Sequence, residues 1–396
     1  LVCKEGDYTY TVASEKATIT KYTGSDTAIR LPEKLGSYPV TAIGSGAFQD
    51  NKTLQTVLLS SAVVSIGNSA FYGCGSLTTI TLPNSLQTLG LSVFYNCTAL
   101  ESIVLPDSIT TIGAYAFYGC TNLRSVNYPM SWTKVNTSDG GNIFKGCAKL
   151  TSITVPEGVT AIPGYAFEDC NYLKTVILPS TLTSIGADAF SGCVALNDVN
   201  VPAGVTGLGN SAFYGCTGLT AITLPDGLTT LGLSVFYNCT ALESIVLPDS
   251  ITTIGAYAFY GCTNLRSVNY PMSWTKVNTS DGGNIFKGCA KLTSITVPEG
   301  VTAIPGYAFE DCNYLKTVIL PSTLTSIGAD AFSGCVALND VNVPAGVTGL
   351  GNSAFYGCTG LTAITLPDGL TTLGLSVFYN CTALESIVLP DSITTI

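Results

Sequence analysis

Apolar positions along the chain follow one pattern, which returns every 23 residues and is seen clearly from Leu100 to Leu123, LESIVLPDSITTIGAYAFYGCTNL. Its first half, LxxIxL, places Ile103 and Leu105 on one face of a short strand, because side chains alternate in a strand. Pro106 then ends the strand, since it has no N–H to donate. The second half spaces its apolar residues by three and four, which predicts a turn, an irregular segment and about one helical turn.

A regular period of this length indicates a repeat array, in which stacked repeats share one continuous core. Residues 1–30 do not follow the pattern. Alternation at Tyr8, Tyr10 and Val12 predicts a β-hairpin there, which would cap the first repeat. Residues 31–396 are predicted to form a solenoid of about fifteen 23-residue repeats.

Two features interrupt this regularity. Residues 124–150 and 266–292 are 27-residue repeats, and they contain the only tryptophans, Trp132 and Trp274. From Thr88 to Ile254, each residue is identical to the one 142 positions later. Stacking requires similar core residues and does not require identity at solvent-facing positions, so the identity indicates a duplication of a 142-residue unit.

The full pattern, LxxIxLPxxIxxIGxxAFxxCxxL, resembles the BspA-like (TpLRR-type) class of bacterial leucine-rich repeats from about Leu31 to Ile396. The resemblance implies an α/β repeat solenoid, a right-handed superhelix with a parallel β-sheet on its concave face. Short helical turns and irregular segments would form the convex face. The resemblance also implies a secreted or surface-displayed bacterial protein that binds other macromolecules.

Charge and hydropathy exclude two kinds of partner. The net charge is −10 and the pI about 4.4, whereas a nucleic-acid reader carries a basic face. The mean hydropathy is +0.40, yet no run approaches the roughly 18 to 20 apolar residues of a membrane-spanning helix, so this apolarity is assigned to the core.

The chain starts LVCKEGDY, so an export signal is expected to be absent from this sequence or already removed. It ends at Ile396 within a repeat, and we expect the natural protein to continue or this end to be covered.

Fourteen of the fifteen cysteines occupy one position per repeat. Stacked equivalents would lie about 4.8 Å apart with parallel Cα–Cβ bonds, whereas a disulfide needs converging Cβ atoms. We therefore predict buried, reduced thiols that donate to backbone carbonyls, with Asn51 in a hydrogen-bonding role at the same position of the first repeat. The fourteen are Cys74, Cys97, Cys120, Cys147, Cys170, Cys193, Cys216, Cys239, Cys262, Cys289, Cys312, Cys335, Cys358 and Cys381.

The absence of histidine removes Ser/His/Asp and Cys/His nucleophilic sites and histidine-ligated zinc. Carboxylates such as Glu168, Asp169 and Asp198 recur with the repeat and are interpreted as solvated surface charges; a glycosidase-type pair would need a carboxylate cluster in one groove. The sequence contains no phosphate-binding Gly-rich loop and no calcium motif. We therefore expect neither enzymatic activity nor a cofactor or metal.

Three surfaces are candidate binding sites. Trp132 and Trp274 are either exposed anchors or rings folded against the solenoid flank. Tyr95, Tyr118, Tyr237 and Tyr260 each follow a core phenylalanine and should point outward, either as an adhesive row or as cover for apolar area. The third surface is the lane of strand positions around each core isoleucine, such as Thr81 and Val104, which suits broad protein or glycan contact or reflects strand propensity alone.

These observations predict a secreted or cell-surface, adhesin-like binding protein. It would recognise host or extracellular-matrix proteins, glycans or other cells through repeated weak contacts, as a monomer and without nucleic acid. The alternative is a structural spacer that projects another domain and has no ligand of its own.

Overall fold

The structure is a computed structural model, which describes residues 2–128, 130, 141–270 and 283–396. The chain forms two compact units, Leu1–Leu196 and Asn197–Ile396. In both units a short strand, a second shorter strand and a series of tight turns make up each repeat, and successive repeats stack in parallel register.

The first unit begins with antiparallel strands β1 (Val2–Glu5), β2 (Tyr8–Ala13) and β3 (Lys16–Tyr22). Ser14 and Glu15, between β2 and β3, both have positive φ, as a two-residue hairpin turn of this twist requires. Strand β3 then pairs in parallel with a strand of the first repeat, at residues 38–43. The antiparallel segment therefore continues directly into the parallel stack.

Two rows of strands run through the first unit. The first row contains the LxxIxL strands: β4 (Ala28–Arg30), β7 (Thr56–Leu58), β9 (Thr79–Thr81), β11 (Ser102–Ile103), β13 (Ser125–Val126), β14 (Ser152–Thr154) and β16 (Thr175–Ile177). The second row contains β6 (Tyr38–Ile43), with β5 (Lys34–Leu35) antiparallel to it, and then β8 (Ser65–Ile66), β10 (Thr88–Leu89), β12 (Thr111–Ile112), β15 (Ala161–Ile162) and β17 (Ser184–Ile185).

The second unit has the same two rows. Its first row is β18 (Asp198–Asn200), β20 (Ala221–Thr223), β22 (Ser244–Ile245), β24 (Ser267–Val268), β25 (Ser294–Thr296), β27 (Thr317–Ile319), β29 (Asp340–Asn342) and β31 (Ala363–Thr365). Its second row is β19 (Gly207–Leu208), β21 (Thr230–Leu231), β23 (Thr253–Ile254), β26 (Ala303–Ile304), β28 (Ser326–Ile327), β30 (Gly349–Leu350) and β32 (Thr372–Leu373).

The expected α/β class, with helical turns after each strand, is wrong. None of the described residues forms an α-helix, and each unit is a β-solenoid. The segment predicted to be partly helical bonds in two directions: Phe117 N–H donates to the carbonyl of Ile143 in the next repeat, at 2.9 Å, and Tyr118 N–H donates back to Tyr115, at 3.2 Å. Alternate N–H groups thus join neighbouring repeats, which an α-helix would forbid.

Left-handed backbone enforces this alternation. φ is +60° at Tyr115 and +70° at Gly119, so two residues around Phe117 depart from helical geometry. The spacing of three and four that suggested a helix therefore arises from consecutive tight turns. The same apolar spacing places Ala116, Phe117 and Cys120 in the core in both geometries, and all three are fully buried.

Candidate functional site

All fifteen phenylalanines of the chain occupy one position per repeat, and they form the buried base of the candidate surface. Neighbouring rings stack with centroids 4.9 to 5.8 Å apart in the first unit, from Phe48 to Phe190. From Phe213 to Phe378 in the second unit the separation is 5.3 to 5.9 Å. Tyr22 of β3 continues the stack over Phe48 at 5.2 Å.

The cysteine prediction is confirmed. All fourteen repeat cysteines are buried and free of disulfides. The Cys120 thiol donates to the carbonyl of Phe94 in the preceding repeat, with Sγ and O 3.1 Å apart, and Cys262 does the same to Phe236 at 3.2 Å. Burial raises the pKa of Cys120 and of Cys262 to about 12, so these thiols stay protonated and unreactive at neutral pH.

Asn51 has the expected hydrogen-bonding role, with a different partner. Its Oδ1 accepts from the backbone N–H groups of Thr53 and Leu54, both at 2.9 Å, within its own repeat. The equivalent cysteines donate to the preceding repeat instead. Asn51 Oδ1 accepts these hydrogen bonds within its own repeat, which suits the first repeat, because β3 and Tyr22 pack against it where other repeats contact a preceding repeat.

The position after the phenylalanine is tyrosine in eight of the fifteen repeats, and neighbouring tyrosines stack in a second, half-exposed column. Tyr95 stacks on Tyr72 with ring centroids 4.9 Å apart and on Tyr118 at 4.6 Å, with interplanar angles of 10° and 4°. In the second unit Tyr237 stacks on Tyr214 at 4.8 Å and on Tyr260 at 4.6 Å. Burial, together with the neighbouring Tyr118, raises the pKa of Tyr95, and Tyr237 is affected in the same way by burial and Tyr260.

This stacking determines what the four predicted tyrosines offer to a ligand. Each of Tyr95 and Tyr237 has a ring on both sides, so its two faces are covered and its ring edge and hydroxyl remain outward. A sugar ring or cation that packs on an aromatic face is therefore excluded from these two positions. The column presents a row of hydroxyl groups, each about one strand spacing from the next.

A cation and a carboxylate continue the column after the tyrosines. Lys145 Nζ lies 2.6 Å from Glu168 Oε2 and 5.4 Å from the centroid of the Tyr165 ring. Lys287, Glu310 and Tyr307 repeat the arrangement, with distances of 2.6 Å and 5.5 Å. The interpretation of Glu168 as a solvated charge is therefore wrong, because only 18% of its side chain is exposed and Lys145 neutralises it. Asp169 and Asp198 are exposed.

Trp132 and Trp274 lie outside the described residues. The 27-residue repeat rejoins the stack at Gly141, whose carbonyl accepts from the Tyr115 N–H at 2.7 Å. Ile143 and Phe144 are fully buried, as the sequence predicts. The phenylalanine column therefore passes through the long repeat unbroken, from Phe117 through Phe144 to Phe167.

The outward position at the end of each first-row strand follows a period of three repeats. From Thr81 to Val388 the order is threonine, valine or isoleucine, asparagine. The valines are the most exposed large apolar side chains of this row: Val104 is 77% exposed, Val246 78% and Val388 83%. A packed core does not account for apolar side chains this exposed, and the asparagine and threonine neighbours leave them uncovered.

A shallow groove lies beside each of these valines, in a first row that is not one continuous sheet. Strand β9 pairs with β7 and strand β11 with β13, whereas β9 and β11 belong to separate sheets; the same break separates β20 from β22. The grooves have volumes of about 250, 260 and 410 Å³, beside Val104, Val246 and Val388 respectively. The lane was foreseen from the sequence, but the grooves were not.

Among the described residues, no three His, Cys, Asp or Glu side chains lie close enough together to hold a metal ion. The same residues include no helix that is long and apolar enough to cross a membrane.

A stack of 23-residue turns with inward leucine, phenylalanine and cysteine defines the leucine-rich repeat class of solenoid proteins. The model of the BspA type leucine-rich repeat region, which comprises six copies, matches residues 22–139, 137–266 and 279–396. The chain therefore belongs to the BspA type leucine-rich repeat family, as its repeat pattern predicts.

Solved structures agree with this assignment. A leucine-rich repeat protein from Bacteroides ovatus is 23% identical, covers 100% of this chain and 99% of its own, and has a TM-score of 0.57, which supports the fold alone. A leucine rich cell surface protein from Faecalibacterium prausnitzii is 27% identical and covers 97% of this chain and 93% of its own, with a TM-score of 0.50. Neither is described as an enzyme. No curated protein matches the chain at a significant level.

Proposed function

We propose that this chain is a secreted or cell-surface binding protein that recognises a macromolecular ligand through an extended, repeated surface. The observation that carries the proposal is the recurrence of exposed apolar side chains, Val104, Val246 and Val388, beside equivalent grooves. Burial of such side chains against a ligand is favourable, and several copies on one chain raise avidity without a single strong contact.

Two further observations support the proposal. The duplicated unit repeats solvent-facing residues that the core does not require, so the copies carry the same surface. The similar Faecalibacterium prausnitzii protein is described as a cell surface protein. We extend that location to this chain, and we propose host-matrix proteins, glycans or other cell-surface macromolecules as ligands and no catalytic activity. Trp132, Trp274, Tyr95, Tyr118, Tyr237 and Tyr260 remain proposed contact residues.

The test is label-free binding of the purified chain to a panel of extracellular-matrix proteins and glycans. Two variants are compared with the parent: Trp132→Ala with Trp274→Ala, and Val104→Thr with Val246→Thr and Val388→Thr. Saturable binding that the tryptophan variant loses would assign the site to the 27-residue repeats, and loss in the valine variant would assign it to the grooves. If folded protein binds no member of the panel, the binding proposal is wrong and the spacer alternative is favoured.

A further inference from the structure

We infer that the three grooves of the first strand row bind an extended, positively charged peptide segment of a partner protein. This inference rests on the proposed function, because it names the partner chemistry of a binding surface. The three sites lie between β9 and β11, between β20 and β22, and between β31 and residues 386–388. They lie 142 residues apart, at equivalent positions of the duplicated unit, so the same arrangement occurs three times along the chain.

The shape of each groove suits a narrow, extended ligand. The groove between β20 and β22 is lined by Thr223, Ser244 and Val246, with Ile222 and Ile245 below. Each side of the groove therefore carries both a hydroxyl group and apolar side chains. β20 and β22 lie side by side, and their alternate side chains Thr223, Ser244 and Val246 are exposed along the groove. An extended peptide can lie across such a surface and place alternate side chains in contact with these positions.

The charge around each groove selects a cationic ligand. The two repeats around the second groove, residues 219–264, contain Asp226, Glu243 and Asp249 and no lysine or arginine; Arg266 follows one repeat beyond Glu243. All three carboxylates are exposed, and none takes part in the ion pairs of the described residues. Asp226 itself lines the groove. Unpaired carboxylates beside an exposed valine attract lysine or arginine, whose aliphatic stem packs on the valine while its charged end reaches the acids.

The other two grooves repeat this balance with one informative difference. The groove beside Val388 is lined by Asp368 and flanked by Glu385 and Asp391. The groove beside Val104 has Asn84 at the position of Asp226 and Asp368. We therefore expect it to be the weakest of the three, since it has lost the carboxylate that lines the site.

The lining argues against a glycan. None of the residues that line the three grooves is aromatic, so no ring face is available for a sugar to stack on. The grooves are lined by Leu, Ile, Val, Thr and Ser and have carboxylates at their rims. Such a lining suits an extended peptide whose side chains are alternately aliphatic and basic.

The test uses a short fluorescent peptide of repeated Lys–Thr–Val units and the same peptide with Glu in place of Lys. The groove variant neutralises six carboxylates: Asp226→Asn, Glu243→Gln, Asp249→Asn, Asp368→Asn, Glu385→Gln and Asp391→Asn. A matched variant neutralises six exposed carboxylates elsewhere: Asp7→Asn, Glu15→Gln, Asp26→Asn, Asp50→Asn, Asp169→Asn and Asp311→Asn. Circular dichroism and thermal unfolding check that both variants fold.

We expect the lysine peptide to bind saturably, more weakly as salt rises, and the groove variant to weaken it by about tenfold or more. The matched variant should bind almost as the parent does. Equal loss in both variants would show that net charge alone attracts the peptide, and binding of the glutamate peptide or displacement by a neutral oligosaccharide would contradict the peptide assignment. If a panel ligand binds the parent and the groove variant equally while the lysine peptide binds neither, the groove assignment fails and the proposed function stands.

Discussion

The phenylalanine column and the column one residue later differ in how strictly the chain keeps them. Every repeat places phenylalanine in the buried column, whereas the outward column reads Tyr214, Tyr237, Tyr260, Lys287, Glu310 and Ser333 along the second unit. The inward position must fill the same space between equivalent rings in every turn, so no other residue replaces it. The outward position has no such requirement, and the chain uses it to place hydroxyl groups and charges.

Raising the pH should have the largest effect on stability, because it acts on the buried cysteine column. Burial raises the pKa of Cys74, Cys120, Cys262 and Cys358 to about 12, above an unfolded value of about 8.5. The unfolded chain therefore loses thiol protons that the folded chain keeps, so stability is complete below about pH 8.5 and falls as pH rises towards 12. Each thiol contributes a slope of about 1.4 kcal/mol per pH unit, and several titrate together.

Urea unfolding at intervals between pH 7 and pH 11 measures this loss, and Cys120→Ala with Cys262→Ala should flatten it. At pH 8, iodoacetamide should label only Cys3, the half-buried cysteine outside the column, before the protein unfolds. Labelling of the fourteen column cysteines in the native protein would contradict the burial that causes the shift.

Deleting one ring of the phenylalanine column should have the next largest effect. Phe167→Ala removes a fully buried ring that stacks at 5.8 Å on Phe144 and at 5.4 Å on Phe190. We expect a loss of about 3 to 5 kcal/mol in the free energy of unfolding, from lost burial and the cavity that remains. Phe309→Ala is the matched change in the second unit, and denaturant unfolding of both gives the comparison. A loss below about 1 kcal/mol would mean that the turns collapse onto the gap.

The sequence predicts the inward columns well because burial and repetition agree there. Phe117, Cys120 and Leu123 were placed in the core from spacing alone, and each is fully buried. The prediction of a helical turn after each strand was wrong, because apolar spacings of three and four residues do not distinguish a helix from alternating tight turns. That distinction depends on whether Phe117 N–H bonds within its repeat or to Ile143, and single-repeat periodicity contains no information about it.

The outward surface was less predictable for a related reason. The tyrosine rows could be located from the sequence. That the faces of these rings cover one another could not be predicted, because it depends on the angle between neighbouring rings. Likewise, Lys145 and Glu168 occupy equivalent positions of successive repeats, which predicts that they lie close together, but the sequence does not show their partial burial or the position of Lys145 over the Tyr165 ring. The sequence likewise does not show that β9 and β11 belong to separate sheets.

The ion pair in the outward column should have a smaller effect than the buried ring. Lys145→Met leaves the Glu168 carboxylate partly buried without its cation, and we expect a loss of about 1 to 2 kcal/mol in unfolding free energy. Adding Glu168→Gln should recover part of this loss, because the unpaired charge is removed. Denaturant unfolding of the two single variants and the double variant isolates the coupling, and strictly additive losses would show that the pair has no net interaction.

Removing two hydroxyl groups from the tyrosine column should have the smallest effect on stability. The same change should distinguish a ligand-contact role of this column from a role in stabilising the solenoid flank. Tyr95→Phe with Tyr237→Phe keeps the stacked rings, whose centroids lie 4.6 Å from those of Tyr118 and Tyr260, and removes only outward polar atoms. We expect a change within about 0.5 kcal/mol by denaturant unfolding, as for surface substitutions in general. If ligand binding falls while stability does not, the hydroxyl row is a contact surface. If stability falls by more than about 1 kcal/mol and binding is unchanged, the row instead serves to hold the flank of the solenoid together.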